Sequence, residues 1–289
     1  MRRSRVSRSI SLAESALPNR SATAARCPGA TALKVRTPSG VNAVTDLDLT
    51  VNDRTAAIQI NADYRLADGG ITISLGFTDL RPTALAAVSE KLAMLAPYDI
   101  PLAGAITVER DRDGEIVRSD FNMTGKEGRI ALESPVTLDV PVDGGRFRGS
   151  YSAVSAELEV EEFTLDFPPD REIAVPAPID HAFPLHRLTT QGTWSIHANQ
   201  LVVPSFKLTL DRPVVDGTLA ARMTDDGVDL DVSVKGSGVL FDDLMKYWPA
   251  TIGASPHNWI SKHMPTGRID DMHAVAALRM TDRKSTRLN

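Results

Sequence analysis

Three histidines and an aspartate lie close together in the sequence and could bind a metal ion or exchange protons. They are Asp180, His181, His186 and His197. Neutral imidazole is a common zinc ligand, and histidine titrates near neutral pH. Their spacings match no metal-binding motif, however, and two of them flank strand-like sequence. We therefore expect histidines at the surface or at a sheet edge, and no metal site.

Two adjacent acids, Asp242 and Asp243, are a second candidate for chemistry, since paired carboxylates can act as general acid and base in hydrolysis. Adjacent acids at a helix start more often cap free N–H groups and favour the helix dipole, and we expect that role here. The sequence contains no serine nucleophile elbow, P-loop, dinucleotide fingerprint or zinc helix. An enzyme is therefore disfavoured, and we expect no catalytic residue, no metal and no cofactor.

A third group, Tyr247, Trp248 and Trp259, could form an aromatic belt at a membrane interface. The same side chains could anchor a helical insert to a sheet, and we expect this packing role.

The composition restricts the class of protein. The chain has 289 residues, 42% of them hydrophobic, and a single Cys, so it is globular and holds no disulfide framework. No apolar run exceeds five residues, so the sequence predicts neither a transmembrane helix nor a secretory segment. Residues 37–281 contain 21 basic and 35 acidic residues, and so acidic a body repels nucleic acid.

Both ends differ from the rest of the chain. Residues 282–289, Asp-Arg-Lys-Ser-Thr-Arg-Leu-Asn, match the translation of a common sequencing adaptor, so we expect the authentic gene to continue beyond residue 281. Residues 1–36 are rich in Arg, Ser and Ala without periodicity, and we interpret them as disordered or non-native.

Strict alternation of apolar and polar residues dominates the remainder, which is typical of antiparallel strands with one wet face. It is clearest at 47–51, 58–64, 71–77, 106–117, 147–167, 206–210 and 228–234. Turn signals at 68–70, 111–114 and 225–227 separate strands, and the pair Glu161-Glu162 shifts the phase as a bulge does.

Helical spacing occurs only at 82–95 and in two short pieces, 241–248 and 256–263. Phe77, Asp79 and Leu80 precede the first, and Phe241, Asp243 and Leu244 open the second, each 164 residues later. This offset suggests repeat modules at about 40–167 and 185–281. The Pro-rich stretch between them, 168–184, is expected to be a linker or an edge excursion between two sheet segments. An apolar strand face needs a partner, so a sandwich, a closed barrel and an open groove filled by an apolar ligand all remain possible.

Two stretches of the chain resemble the AsmA-like proteins of the bacterial envelope. The first is 77–121, which begins Phe-Thr-Asp-Leu-Arg-Pro, and the second is 240–278, which contains Tyr247-Trp248-Pro249, Trp259 and Gly267. The resemblance is greatest to the YhdP branch and weaker to TamB, and it covers about residues 40–281. It implies a long twisted antiparallel sheet with short helical inserts that forms an open groove, a bridge-like lipid-transfer architecture. The implied protein lies in the periplasm of a Gram-negative bacterium and conducts phospholipid between inner and outer membranes.

Such proteins usually begin with a membrane-spanning helix, which this sequence does not contain, so the inner-membrane anchor is expected outside this fragment. The expected partners are phospholipid acyl chains and, through the anchor, the membrane. Two alternatives remain: a non-enzymatic β-sandwich scaffold or adhesin, and a carbohydrate-active β-fold enzyme.

If the sheet is a lipid groove, its lining is the apolar phase of successive strands. The expected lining residues are Leu47, Leu49, Val51, Ile58, Ile60, Ile71, Ile73, Leu75, Leu158, Val160, Leu208, Leu210, Leu230 and Val232. Phe163, Leu165 and Phe167 follow the bulge and are not included.

Overall fold

The structure, a computed structural model, describes residues 31–37, 40–51, 54–132, 138–175, 180–224, 227–251, 253–264 and 266–281. The fold is mainly β, an open antiparallel sheet with 65% strand and few short helices. The proposed adaptor tail at 282–289 and most of the N-terminal segment, 1–30, lie outside the described residues. Residues 31–36, which the sequence excluded, belong to a strand.

The chain divides into two compact units, residues 1–126 and 127–289. The modules expected from the sequence at about 40–167 and 185–281 stay a prediction. In the first unit, six of the strands pair antiparallel in the order β1-β2-β3-β4-β6-β7. Its strands are β1 (Thr31–Thr37), β2 (Gly40–Val51), β3 (Arg54–Arg65), β4 (Ile71–Leu80), β5 (Tyr98–Asp99), β6 (Leu102–Arg110) and β7 (Ile116–Gly125).

The second unit is built in the same way, with strands paired antiparallel in the order β10-β11-β14-β15-β16-β17-β20. These are β10 (Gly144–Ser152), β11 (Glu157–Asp166), β14 (Leu185–Ser195), β15 (Gln200–Leu210), β16 (Val214–Thr224), β17 (Gly227–Ser237) and β20 (Met272–Thr281). Three small antiparallel strand pairs accompany them: β8 (Gly128–Leu132) with β9 (Leu138–Val142), β12 (Ile173–Val175) with β13 (His181–Phe183), and β18 (Val239–Leu240) with β19 (Arg268–Ile269).

The helical inserts lie where the spacing predicts them. α1 (Pro82–Val88) begins with a proline at its first turn and ends at Ser89, whose extended backbone separates it from a 3-10 turn at Glu90–Leu95. In the second unit a 3-10 turn at Phe241–Asp243 leads into α2 (Leu244–Tyr247), and α3 (Ala254–His263) follows. The single predicted segment at 82–95 is therefore two short ones.

The Pro-rich segment at 168–184 is an excursion from the sheet. Before it, β11 ends at Asp166, and after it β14 returns to pair with β11 from Asp166↔Arg187 to Glu157↔Ser195. The excursion contains the β12–β13 hairpin, whose turn residues 176–179 lie outside the described residues.

The bulge predicted at Glu161-Glu162 is confirmed. Tyr151 and Gly149 pair with Leu158 and Val160, whereas Phe147 pairs with Phe163, so β11 has one extra residue between the two sets. Without the extra residue, the apolar residues before and after Glu161-Glu162 would point to opposite faces of the sheet; with it, they point to the same face. Phe163 and Leu165 therefore lie on the same face as Leu158 and Val160.

Candidate functional site

The predicted lining residues of the first unit share one face of its sheet. Directly paired residues of antiparallel strands point to the same side, and alternation extends each pair along the strand. The pairs are Leu47↔Ile58, Ile58↔Phe77 and Ile60↔Leu75, followed by Leu75↔Ile106 and Ile106↔Phe121. By alternation the face also holds Leu49, Val51, Ile71 and Ile73. One apolar face thus runs from β2 to β7 across successive strands.

The second unit has a corresponding face. Starting at β11, Val160 pairs with Gly192 and Leu165 with Leu188, which pairs with Leu208. Leu208 pairs with Val215, and on β16 Leu219 and Ala221 pair with Val232 and Leu230. Alternation places Leu158 and Leu210 on this face as well. The register therefore brings the predicted residues of each unit together on one surface.

Most of the predicted lining side chains remain partly open to solvent. Val51 and Leu210 are buried, and the other twelve are half-buried. A second layer packed on the sheet would bury its central leucines and isoleucines. Because these side chains are partly exposed along the whole face, an apolar ligand can bind to them.

One end of the face in the first unit is covered. Phe77, Leu80 and Ala56 form a buried cluster, with Phe77 only 5% exposed. Leu85 of α1 packs against this cluster, together with Leu49. The insert between β4 and β6 therefore closes one end of the sheet and leaves the middle of the face accessible.

The insert of the second unit lies at an end of its face too. Arg212, in the turn between β15 and β16, makes an ion pair with Asp243 (Nη1 to Oδ2, 3.4 Å), and Leu210 at the end of β15 is 6% exposed. Leu244 of α2 is buried. Both inserts thus connect two strands of a sheet and contribute a leucine, Leu85 or Leu244, to its packing.

Each unit places a phenylalanine opposite or beside a glycine: the phenylalanines, Phe77 and Phe241, are 164 residues apart, and the glycines, Gly104 and Gly267, are 163 residues apart. Phe77 lies opposite Gly104 across β4 and β6. Phe241 donates its N–H to the carbonyl of Gly267 (3.0 Å), and a Cβ on that glycine would lie 2.7 Å from the phenylalanine ring. Both glycines have positive φ, 153° and 139°. At Gly267 the Phe241 ring leaves no room for a side chain, whereas at Gly104 the carbonyl oxygen of Asn122 does so.

The opposite face of each sheet is polar and linked by cross-strand contacts. In the first unit Gln59 donates to Asp46 (3.0 Å) and Asn42 to Asn61 (2.8 Å). In the second unit Arg148 pairs with Glu161 at 2.8 Å. Polar contacts of this kind keep one face solvated, so the two faces of each sheet differ in chemistry.

The histidines do not assemble a metal site. Nε2 of His181 lies 2.8 Å from the carbonyl oxygen of Lys246 and thereby joins β13 to α2. His186 contacts Asp211 (Nε2 to Oδ1, 2.8 Å), and His197 is exposed. In the described part of the chain, no group of three or more metal-ligating side chains could hold an ion.

Of the paired acids, Asp243 makes ion pairs, with Arg212 and Lys246. Asp243 lies 2.7 Å from Nζ of Lys246, and no side-chain cap bond is made at this helix start, so the expected capping of free N–H groups is wrong. Both acids do lie in the first turn of the 3-10 segment, the position expected to favour the helix dipole. The hydrogen bond from Lys246, together with the charges of Lys246 and Arg212, holds the pKa of Asp243 below its usual value of 3.8, against the opposing effect of desolvation. Asp242 is exposed.

The aromatic residues of the second insert differ in their surroundings. Trp248 is half-buried and meets His257 edge to face, with ring centres 5.8 Å apart, as packing predicts. Trp259 is 57% exposed and stacks on His263, so the packing role expected for it is wrong.

Sequence reasoning missed a charged cluster at the covered end of the first unit. Nη1 of Arg81 lies 2.6 Å from Oδ1 of Asp99, Thr83 donates to the same oxygen (3.3 Å), and Arg54 approaches it to 3.7 Å. Burial would raise the pKa of Asp99, but the hydrogen bond and charge of Arg81, aided by Thr83 and Arg54, lower it. Only the pairing of distant strands brings these residues together.

Among the described residues, no helix is long and apolar enough to cross a membrane. Comparisons of the chain with protein-family models, with curated proteins and with solved structures found no match.

Proposed function

We propose that this chain is a segment of an AsmA-like envelope protein that conducts phospholipid between the inner and outer membranes of a Gram-negative bacterium. In this proposal it works in the periplasm, anchored to the inner membrane, without catalysis or a cofactor. The observation that carries the proposal is the apolar face, aligned strand by strand in each unit and half-buried along most of its length.

Such a face can hold acyl chains without specific contacts. Each CH₂ group that leaves water contributes about 0.8 kcal/mol, so a chain lying along several strands is retained yet remains free to slide. An acyl chain on the opposite, polar face would not gain this hydrophobic free energy. Passive movement along one face therefore requires only continuity of apolar side chains, which the register supports.

The direct test is mass spectrometry of lipids that remain bound to the purified full chain, with detergent excluded from purification. We expect co-purified phospholipid in near-stoichiometric amount. A folded chain that carries no lipid, and takes up none from vesicles of phosphatidylethanolamine and phosphatidylglycerol, would contradict the proposal and favour a scaffold role.

A matched pair of variants locates the binding surface. Leu230→Asp puts a charge on the apolar face, while Thr218→Asp puts the same charge on the exposed polar face of the neighbouring strand, opposite Ser233. We expect both variants to fold and only Leu230→Asp to lose lipid. Equal lipid retention by both variants would show that this face does not carry lipid.

A further inference from the structure

A cavity of about 300 Å³ lies at the covered end of the first unit. Its apolar wall is formed by Leu49, Val51 and Ala56, which belong to β2 and β3. Leu49 and Ala56 are directly paired, so this wall is part of the apolar face. The cavity therefore joins the surface on which an acyl chain would lie.

The other wall of the cavity is charged. It is formed by Arg54, Arg81, Asp79 and Thr83. The acid in this wall is neutralised, because Nζ of Lys126 lies 2.8 Å from Oδ1 of Asp79. Counting Asp99 behind the two arginines, three cations face two carboxylates, so the local charge is positive although the protein as a whole has a net charge of −5.

The two arginines have unused hydrogen-bonding capacity. Arg81 contacts Asp99 through Nη1 alone, which fixes the side chain and leaves Nε and Nη2 without a partner among the described residues. Arg54 reaches Asp99 only at 3.7 Å, beyond hydrogen-bond distance, and its side chain is 64% exposed. A guanidinium group has five N–H donors in a fork that suits the oxygens of a phosphate.

We propose, as an extension of the lipid-conducting function, that this cavity holds the anionic headgroup of a phospholipid. Arg54 and Arg81 contact the phosphate, while the first carbons of the acyl chain lie on Leu49. Asp99 acts as a positioning residue, because it orients Arg81 and does not itself face the headgroup. The covered end of the face thus selects lipids by charge, whereas the open part accepts any acyl chain.

The test is isothermal titration calorimetry on the full chain with two probes of equal acyl length, lysophosphatidylglycerol and lysophosphatidylcholine, each below its micelle concentration. We expect the anionic probe to bind more tightly. Arg54→Gln should reduce that preference about fivefold, as expected for one partly exposed charge contact, and high salt should do the same. The side chain of Arg54 makes no hydrogen bond among the described residues, so this variant should fold. Arg81→Gln, which also removes the hydrogen bond to Asp99, is the second variant.

Arg112→Gln is the matched control, because Arg112 also has a loose ion pair of 3.7 Å, with Asp113, at the turn between β6 and β7. We expect it to leave the preference unchanged. Equal losses in Arg54→Gln and Arg112→Gln, or no preference in the unaltered chain, would overturn the headgroup site while leaving lipid conduction intact.

Two further titrations distinguish a headgroup site from a site for free anions and test the contact with the acyl chain. Inorganic phosphate should bind far more weakly than lysophosphatidylglycerol, and equal affinity would show a site for free anions instead. Leu49→Asn should weaken both lysolipids alike. Failure of both lysolipids to bind would overturn this inference together with the proposed function.

Discussion

Leu210→Ala and Leu230→Ala remove the same atoms from the same apolar face of the second unit, but at places of different burial. Leu210 is 6% exposed at the end of β15, whereas Leu230 is half-buried within β17. A face open to solvent and a face covered by a second layer predict different results for this pair.

The expected costs follow from burial. Truncating a buried leucine loses its transfer free energy and leaves a cavity, so Leu210→Ala should reduce the free energy of unfolding by about 3 kcal/mol. At Leu230 part of the side chain already meets water, and the space left is a surface depression that water fills. Only the transfer contribution of the buried part remains, about 1.5 kcal/mol.

Urea denaturation followed by tryptophan fluorescence measures this difference in one unit, because Trp194, Trp248 and Trp259 all belong to the second unit. With a dependence on urea of about 2 kcal/mol per molar, the two unfolding midpoints should differ by about 0.75 M. Equal midpoint shifts of the size expected for a buried leucine would show that the face is closed in solution and would refute the open groove.

Three other predictions concern backbone, charge and secondary structure. Gly104→Ala should destabilise the first unit by about 2 kcal/mol or more, because φ is 153° and a Cβ would lie 2.1 Å from the carbonyl oxygen of Asn122. Gly76→Ala is the control, since its Cβ would lie 4.0 Å from the nearest atom, the carbonyl oxygen of Gln59, and it should unfold at nearly the wild-type urea concentration. Equal effects of the two substitutions would contradict the argument. The pKa of Asp99 is lowered in the folded state from 3.8, so its ion pairs stabilise the fold above that pH and lose this effect as the pH falls through the lower folded value. The free energy of unfolding of the wild type should therefore fall more steeply below about pH 4 than that of Asp99→Asn. Parallel acid-unfolding curves of the two proteins would count against this prediction. Circular dichroism of the full chain should be dominated by strand, and a helix-dominated spectrum is incompatible with the fold.

Alternation was sufficient to predict most strands, because one solvated face forces a period of two on the sequence. The bulge at Glu161-Glu162 was also predictable, since the apolar phase changes at one point and resumes. The turn at Asp111 was equally clear, and Asp111 accepts hydrogen bonds from the N–H groups of Asp113 and Glu115, both at 2.9 Å.

Features that depend on distant pairing were not predictable in this way. The contact of Arg54 and Arg81 with Asp99 requires the register of β3, β4 and the insert together. The break at Ser89 is set by backbone geometry that helical spacing alone does not reveal. The sequence left the segment at 168–184 open between a linker and an edge excursion because prolines mark both, and the pairing of β11 with β14 shows the excursion. The role of the apolar face as a lipid path stays a prediction.

In each unit the strands of the main sheet pair in the order in which they occur in the chain, with inserts and small strand pairs set aside. Each added hairpin therefore needs only the strand before it, as in repeat proteins whose stability is a sum over neighbours. Folding can begin at one hairpin and spread along the chain during synthesis. A sheet of this design can also lengthen in evolution by duplication of a hairpin, because two extra strands leave the direction and the face of every other strand unchanged.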